Sequence, residues 1–342
     1  MTSIQSSTRP HWYSTRSVRV LLAAGILVAL LSFAGGEDLA RALMQIDLWS
    51  VAALFAIAGA MIWVSCLKWR LFLRSSGSDA SLLRLMKYYL IGYFFNLFTP
   101  SFIGGDVARS YQLGHHLGRQ KDAFVSTYLE RFTGLLAMVG LGVLFVSLGV
   151  EVTAGLEWAI ALLGVATAGL ALVTFSRQAS SVARQLSVSS VRRIGQPKFS
   201  ERLERLWRRM DDAFTVTRQR KSLLAASLAL SLVFHVLTVV NTYVAARAIG
   251  WENPPFAGLF VVVPLVLIVG MVPVTPSGIG IQEGAFLFFL QRIGATSAQG
   301  LMVGLLLRAK VVILGLIGGI IFAMEPSRQG SGSHEPVGES HV

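Results

Sequence analysis

Apolar runs long enough to cross a lipid bilayer recur along this chain, and they constrain its fold more than any other feature. A helix needs about twenty consecutive, mostly apolar residues to span the hydrocarbon core. The segments that meet this requirement are 18–34, 49–67, 123–149, 158–175, 222–246 and 297–324. Because backbone polar groups inside a bilayer must be bonded internally, such runs form helices. The sequence therefore predicts an all-α polytopic membrane protein with about six full crossings.

The composition supports this prediction and excludes several classes of protein. Hydrophobic residues make up 54% of the chain and charged residues only 14%, whereas a soluble domain is about one quarter charged. The sequence has no metal-ligand spacing, no Ser/His/Asp set and no glycine-lysine phosphate loop. We therefore predict no enzyme activity, no metal and no cofactor. The single cysteine, Cys66, lies among apolar residues and is expected to be a buried, reduced thiol.

Two further apolar stretches, 85–103 and 256–275, each end in a motif rich in proline and glycine. Basic residues lie on both sides of the first stretch, at Arg84 before it and at Arg109 and Arg119 after it. Because basic loops stay in the cytoplasm, this stretch is predicted to enter from the cytoplasm and turn back. A re-entrant backbone needs a surrounding cavity or protein. If both stretches cross instead, the chain has eight spans.

Charged residues outside the apolar runs orient the helices. Three arginines before residue 20 and the basic residues after the second run, Lys68 included, are predicted to be cytoplasmic, and the acidic loop 35–48 external. Loop 176–221 carries twelve Lys/Arg and four Asp/Glu, a net +8 of the total +12. This charge predicts attraction to anionic lipid headgroups, with 201–209 as a surface amphipathic helix. No element suited to nucleic-acid recognition fits there.

The predicted organisation is a cytoplasmic tail (1–17), a first transmembrane repeat (18–150), a second repeat (151–325) and a disordered tail (326–342). The run 18–34 follows arginines as the apolar part of a signal peptide would. However, the residues after it make a poor cleavage site and another spanning run follows, so a retained helix is expected. Together these features predict a multi-pass protein of the bacterial cytoplasmic (inner) membrane with both termini in the cytoplasm.

An internal repeat relates the two halves. The motif TPSFIGGD at 99–106 resembles TPSGIGIQE at 275–283. With one inserted residue, a constant offset of 177 pairs four positions: Asp106 with Glu283, Arg131 with Arg308, Arg70 with Arg247, and Leu141-Gly142 with Gly318-Gly319. In each half the acid precedes its arginine by 25 residues. Three full crossings per half is an odd number, so the halves are predicted to be inverted, as in secondary transporters.

The two motifs contain the residues expected to break helices inside the membrane. Proline removes a backbone donor and disfavours helix at the preceding residue, and glycine permits positive φ and close backbone approach. The predicted break residues are Thr99, Pro100, Gly104 and Gly105 in the first half, and Pro276, Gly278 and Gly280 in the second. A loop at the membrane surface is the alternative, but it does not explain why the arrangement is repeated.

Charged residues near or inside the apolar runs are the predicted substrate-binding residues. An unpaired ion inside a membrane is unfavourable, so such residues are functional by default. The predicted set is Asp106, Arg109, Glu130, Arg131, Glu283 and Arg308. Capping of a helix N-terminus is the alternative role for the two breaker acids, and snorkelling to the interface is one for Arg131. Each arginine is expected to pair with a carboxylate, of its own half or of the other.

His235 and Asn241 lie inside the fifth crossing. An interhelical hydrogen bond is the preferred interpretation of these polar residues, and a proton relay is the alternative.

Several segments together resemble one known family. FNLFTPSFIGGDVAR at 95–109, LERFTGLL at 129–136, PSGIGIQEG at 276–284 and Leu307-Arg308 are similar to motifs of the lysylphosphatidylglycerol synthase transmembrane-region family. The resemblance covers roughly residues 15–325 and implies lipid translocation between leaflets, with Asp106, Arg131, Glu283 and Arg308 at the family's polar positions. The aminoacyltransferase domain found in some members has no room in this chain, so synthase activity is not expected.

The function predicted from the sequence is that of a flippase-like transporter of a membrane phospholipid or lipid-linked intermediate. In this hypothesis the arginines bind phosphate, and Asp106 and Glu283 bind a cationic headgroup or a coupling proton. Two alternatives remain open: a non-transporting partner of an envelope-lipid enzyme, acting through loop 176–221, and an ion-coupled transporter of a soluble anion. A homo-oligomer is compatible with each of them.

Overall fold

The computed structural model describes residues 44, 46–99, 103–149, 176–193 and 220–325, with a few scattered positions between 161 and 204. These residues form helices joined by turns. The helices are α1 (Leu48–Ser75), α2 (Leu82–Phe98), α3 (Ile103–Leu117), α4 (Gln120–Ser147), α5 (Arg177–Arg193), α6 (Lys221–Ala248), α7 (Phe256–Gly270), α8 (Ile281–Gln291) and α9 (Ser297–Ala323). The predicted all-α fold is confirmed.

In the part of the chain that the structure describes, α1, α4, α6 and α9 are long and apolar enough to cross a membrane. Each has 27 or 28 residues, which is about 40 Å at 1.5 Å per residue. They match the predicted crossings 49–67, 123–149, 222–246 and 297–324. The crossing 18–34, most of 158–175, both tails and most of the predicted surface helix 201–209 lie outside the described residues.

The two broken stretches are found as helices shorter than a full span. Helix α2 has 17 residues and ends at Phe98, and α7 has 15 and ends at Gly270. At 1.5 Å per residue these are about 25 and 22 Å long, less than the hydrocarbon thickness of about 30 Å. After each break the chain forms another short helix, α3 or α8, which packs against the one before it. Each half thus has a helix break next to its motif, but the predicted break residues Gly104 and Gly105 lie in the first turn of α3, because the helix resumes at Ile103.

One long helix of each half packs against the short broken helix of the other half: α9 lies along α2, and α4 lies along α7. Glycines permit the first contact, since a Cβ added to Gly318 would lie 1.9 Å from the carbonyl oxygen of Leu90. At the second contact, a Cβ on Gly142 would meet Pro264 at 3.9 Å. Small residues at such positions let helices approach closely where no hydrophobic effect drives association. The two long helices α1 and α6 also pack together.

Two of the basic residues used to orient the loops are buried inside the protein. Lys68 lies within α1, which continues to Ser75, and is 3% exposed. Arg109 lies within α3 and is 1% exposed. Their assignment as cytoplasmic surface charges was therefore wrong. The reason is that helical turns continue beyond the purely apolar run, so a basic residue near its end can still point inward.

Candidate functional site

The two helix breaks meet. The backbone N–H of Ser277, in the second break, donates a 2.9 Å hydrogen bond to the carbonyl oxygen of Thr99, in the first. Ser277 itself has φ 54°, and Gly278 and Gly280 have φ 68° and 82°. This left-handed backbone is available to glycine and unfavourable for serine. The second motif is thus held in an unusual turn directly beside the first.

Glycine is required at the start of α3, directly after the first break, because this helix packs closely against α2. The N–H of Gly105 donates to Oδ1 of Asn96 at 2.7 Å, and a Cβ on Gly105 would lie 2.2 Å from the carbonyl oxygen of Gly92. A Cβ on Gly104 would lie 2.2 Å from Oγ1 of Thr99. A side chain at Gly104 or Gly105 would therefore clash with Thr99 or with the backbone of α2. Pro100 lies outside the described residues.

Asp106 and Arg131 form a two-point ion pair. Nε of Arg131 donates to Oδ2 of Asp106 at 2.8 Å, and its Nη2 donates to Oδ1 at 2.8 Å. Asp106 lies in the first turn of α3, where the helix dipole also favours a carboxylate. The parallel geometry of this pair is the one that a guanidinium adopts toward a carboxylate or a phosphate.

Glu283 and Arg308 form the corresponding pair in the second half. Nε of Arg308 donates to Oε1 of Glu283 at 2.5 Å, while Oε2 of Glu283 accepts from the N–H of Gly280 at 2.7 Å. Nη1 of Arg308 donates to the carbonyl oxygen of Ser277 at 2.8 Å, and its Nη2 donates to Oε1 of Gln282 at 3.0 Å. Arg308 therefore binds both the acid and the turn of its own half. Glu283 also caps α8, the alternative role considered for it.

The two arginines occupy equivalent places in their helices. Each lies eleven residues after the first residue of its helix, Gln120 in α4 (131 − 120) and Ser297 in α9 (308 − 297). At 1.5 Å per residue this is about 17 Å from the helix start, near the middle of each long helix. Each arginine pairs with the acid of its own half, which decides the question that the sequence left open.

The two pairs differ in exposure. The side chain of Arg131 is 44% exposed and that of Asp106 is 19% exposed. The values for Arg308 and Glu283 are 11% and 1%. An arginine this far from the ends of α4 is unfavourable in contact with lipid tails. We therefore expect the exposed side of the Arg131 guanidinium to face water or another polar group rather than lipid tails.

Arg109 and Glu130 extend the first pair inward. Nη2 of Arg109 donates to Oε2 of Glu130, and its Nε donates to Oδ1 of Asp106 at 3.0 Å. The guanidinium also lies over the rings of Trp69 and Tyr89, at 4.6 and 4.4 Å from their centroids. Buried charges require such partners. Both residues were predicted from the sequence, and the structure brings them together with Asp106 and Arg131.

Polar residues on α6 continue the buried network across the fold. His235 Nε2–H donates to the carbonyl oxygen of Gly134 in α4 at 2.9 Å. Nζ of Lys310, in α9, donates to Oδ1 of Asn241 at 2.5 Å. Lys68 Nζ donates to Oγ of Ser231 at 3.0 Å. The predicted interhelical hydrogen bonds of His235 and Asn241 are confirmed.

Three residues that hydrogen-bond within the site were not predicted from the sequence: Lys68, Ser277 and Gln282. Lys68 carried a usable signal, because the apolar residues Trp69, Leu71 and Phe72 follow it and indicate that the helix continues. Ser277 contributes its backbone N–H and carbonyl as well as its hydroxyl, and its residue type alone did not indicate a role in the site. In the described part of the chain, no group of His, Cys, Asp and Glu residues could hold a metal ion.

A model of one family, the lysylphosphatidylglycerol synthase TM region, matches residues 17–319. The chain belongs to this family. Two proteins from Methanothermobacter thermautotrophicus, each described as a UPF0104 membrane protein, are similar to this chain. One is 25% identical over 294 residues, covering 80% of this chain and 83% of the relative, and the other is 24% identical over 295 residues, covering 81% and 86%. No solved structure matches this chain significantly.

Both break motifs and both ion pairs lie inside the region that matches the family. Membership establishes a multi-pass integral membrane protein, consistent with the four long apolar helices α1, α4, α6 and α9. The segments 95–109 and 276–284, on which the family resemblance rests, contain the two helix breaks that the Ser277–Thr99 hydrogen bond joins. The family match thus covers the whole of the charged network described above.

Proposed function

We propose that this protein is a flippase-like transporter that moves a lipid or lipid-linked intermediate between the leaflets of the bacterial cytoplasmic membrane. It acts without enzymatic chemistry. The lipid headgroup passes through a polar region lined by the Asp106–Arg131 and Glu283–Arg308 pairs, while its acyl or prenyl chains stay in the bilayer. Arg131 and Arg308 bind the phosphate, because a guanidinium binds phosphate with the same two-point geometry that it uses for a carboxylate.

The observation that carries this proposal is the equivalence of the two pairs. Two arginines near the middle of two long helices, each bonded to an acid 25 residues earlier, lie beside two helix breaks that touch each other. A structural ion pair needs no such duplication. A transporter that binds one headgroup from each side in turn does, because each half can gate one side.

The two halves are proposed to be an inverted repeat. The crossed packing supports this, since α9 lies along α2 as α4 lies along α7, and α1 packs against its counterpart α6. A two-fold axis within the membrane plane produces such reciprocal contacts. In the proposed cycle, the exposed Arg131 pair receives the headgroup and the buried Arg308 pair is closed. The second state has the opposite accessibility, with Arg308 exposed and Arg131 covered.

Acidic residues have a gating role in this proposal. Asp106 and Glu283 hold the arginines when no headgroup is bound, and a phosphate replaces the carboxylate as the arginine's partner. The released carboxylate is then free to bind a cation or a proton. Both termini are proposed to be cytoplasmic, with the basic loop 176–221 against anionic headgroups.

Leaflet exchange in proteoliposomes tests the proposal. Dithionite quenches fluorescent lipid in the outer leaflet only. Exchange between leaflets is measured as the additional loss of fluorescence from lipid that began in the inner leaflet. Arg308→Ala is expected to abolish exchange, because Arg308 holds Glu283 and the Ser277 turn together. Arg70→Ala, which removes a surface pair with Asp79, is the matched control. Equal exchange by Arg308→Ala and wild-type protein contradicts the proposal, as does uptake of soluble phosphate compounds without lipid exchange.

A further inference from the structure

The buried charged network contains two lysines in addition to its three acid–arginine pairs. Each of the three acids has an arginine: Asp106 has Arg131, Glu130 has Arg109, and Glu283 has Arg308. The described helices contribute two further buried bases to this network, Lys68 and Lys310, at 3% and 7% exposure. Among the residues that the structure describes, the network therefore carries two more basic than acidic groups.

Neither lysine has a carboxylate of its own. Lys310 Nζ donates to the neutral amide of Asn241 at 2.5 Å, and Lys68 Nζ donates to the hydroxyl of Ser231 at 3.0 Å. The nearest acid to Lys68 is Glu130, at 3.9 Å, and Glu130 already binds Arg109. A buried ammonium without a counter-ion either loses its proton or is neutralised by an anion.

Both lysines reach α6, each from a different helix. Lys68 extends from α1 to Ser231, and Lys310 extends from α9 to Asn241, ten residues further along the same helix. Ten residues correspond to about 15 Å of helix, which is half the hydrocarbon thickness of about 30 Å. The two lysines thus contact α6 at points about 15 Å apart along the axis of that helix.

We infer that the transported headgroup carries a net negative charge, as in a lipid phosphate monoester or phosphodiester without an amine, and that Lys68 and Lys310 provide the charge that selects it. This inference rests on the proposed function and specifies its substrate class. An anionic headgroup neutralises the two excess basic groups. A headgroup bearing an amine brings a positive charge into a region that already has a surplus of basic groups.

Headgroup selectivity of the wild-type protein tests the inference without any substitution. Proteoliposomes receive one labelled lipid at a time: phosphatidic acid, phosphatidylglycerol, phosphatidylethanolamine, phosphatidylcholine or lysylphosphatidylglycerol. We expect the two anionic lipids to exchange at least roughly tenfold faster than the others, the ratio that corresponds to about 1.4 kcal/mol. Equal or faster exchange of zwitterionic or cationic lipids overturns the inference and leaves the proposed function intact. If neither these five nor a labelled prenyl phosphate is exchanged, the proposed function itself is overturned.

Substitution then assigns the selectivity to the lysines. Lys68→Met and Lys310→Met keep the length of the side chain and remove its charge, and each is expected to lower the anionic preference at least roughly threefold. Lys310→Arg is expected to retain it. Lys87→Met, which removes an ion pair with Glu325 at the helix ends, is the matched control. Unchanged selectivity in both methionine variants, with folding verified by gel filtration, shows a structural role for the lysines and overturns their assignment.

Discussion

The backbone N–H of Ser277 donates a 2.9 Å hydrogen bond to the carbonyl oxygen of Thr99, and this bond joins the helix breaks of the two halves. The same serine accepts two hydrogen bonds from Nη1 of Arg308, through its carbonyl and its hydroxyl oxygen. A change at the Glu283–Arg308 pair is therefore transmitted directly to the first break. In the proposed cycle, the two breaks must separate when the second half opens.

A disulfide between the two breaks is expected to arrest the protein in the present state. A backbone hydrogen bond places the two Cα atoms within about 6 Å, the range that a disulfide spans. The double variant Thr99→Cys/Ser277→Cys is made with Cys66→Ala, which removes the buried free thiol. Oxidation should stop leaflet exchange, and reduction should restore it.

The single-cysteine variants treated with the same oxidant are the controls, since Ser277→Cys also alters a partner of Arg308. If the oxidised double variant is cross-linked and still exchanges lipid at its reduced rate, the breaks do not separate during transport.

Close packing of α9 on α2 is expected to depend on Gly318. An added methyl group would lie 1.9 Å from the carbonyl oxygen of Leu90, so Gly318→Ala requires the helices to move apart. Overpacking of this kind lowers stability by about 1–3 kcal/mol. Gly140→Ala in α4 is the matched control, since nothing lies within 4 Å of its Cβ position. Thermal unfolding in detergent measures both, and similar midpoints for the two variants would contradict the packing described here.

Loss of the acid should destabilise the second half more than the first. Glu283→Ala leaves Arg308, 11% exposed, without its carboxylate, and removes the bond to the Gly280 N–H. Breaking a buried pair in this way lowers stability by about 3–5 kcal/mol. Asp106→Ala leaves Arg131, 44% exposed, able to find other polar partners, so a smaller loss is expected. Unfolding midpoints in the reverse order would show that the exposures do not describe the protein in the membrane.

Chemical labelling should distinguish the two arginine positions. With Cys66 replaced by alanine, Arg131→Cys is expected to react with a membrane-impermeant thiol reagent at least roughly tenfold faster than Arg308→Cys. This follows from the 44% and 11% exposure of the native side chains. Mass spectrometry of protein labelled in proteoliposomes measures both rates. Comparable reaction at the two positions would mean that the two pairs are equally accessible in this state.

The sequence predicted much of the fold for physical reasons. Long apolar runs must be helical in a bilayer, which located α1, α4, α6 and α9. The repeated TPS motif located the breaks after α2 and α7, because proline and glycine there are incompatible with a continuous helix. The repeated 25-residue spacing indicated the two acids and the two arginines, although not which acid each arginine binds. In each case the relevant information is local or periodic.

The remaining features depend on contacts that no local pattern encodes. Whether Arg308 binds Glu283 or the acid of the other half depends on how α8 packs on α9, and the sequence left this open. The burial of Lys68 depends on which face of α1 meets α6, where Ser231 accepts its hydrogen bond. The junction of the two breaks uses backbone atoms of Thr99 and Ser277, which carry no side-chain signature.

The central claim, that the two ion pairs serve one transport cycle, is tested most directly by leaflet exchange of the single and double arginine variants. Wild type, Arg131→Ala, Arg308→Ala and the double variant are reconstituted at equal density, and exchange of labelled phosphatidylglycerol is followed by dithionite quenching. The account predicts that each single variant loses at least roughly 90% of the exchange rate, and that the double variant is no slower than either, because residues that act as a unit are non-additive. Wild-type exchange by either single variant would contradict it.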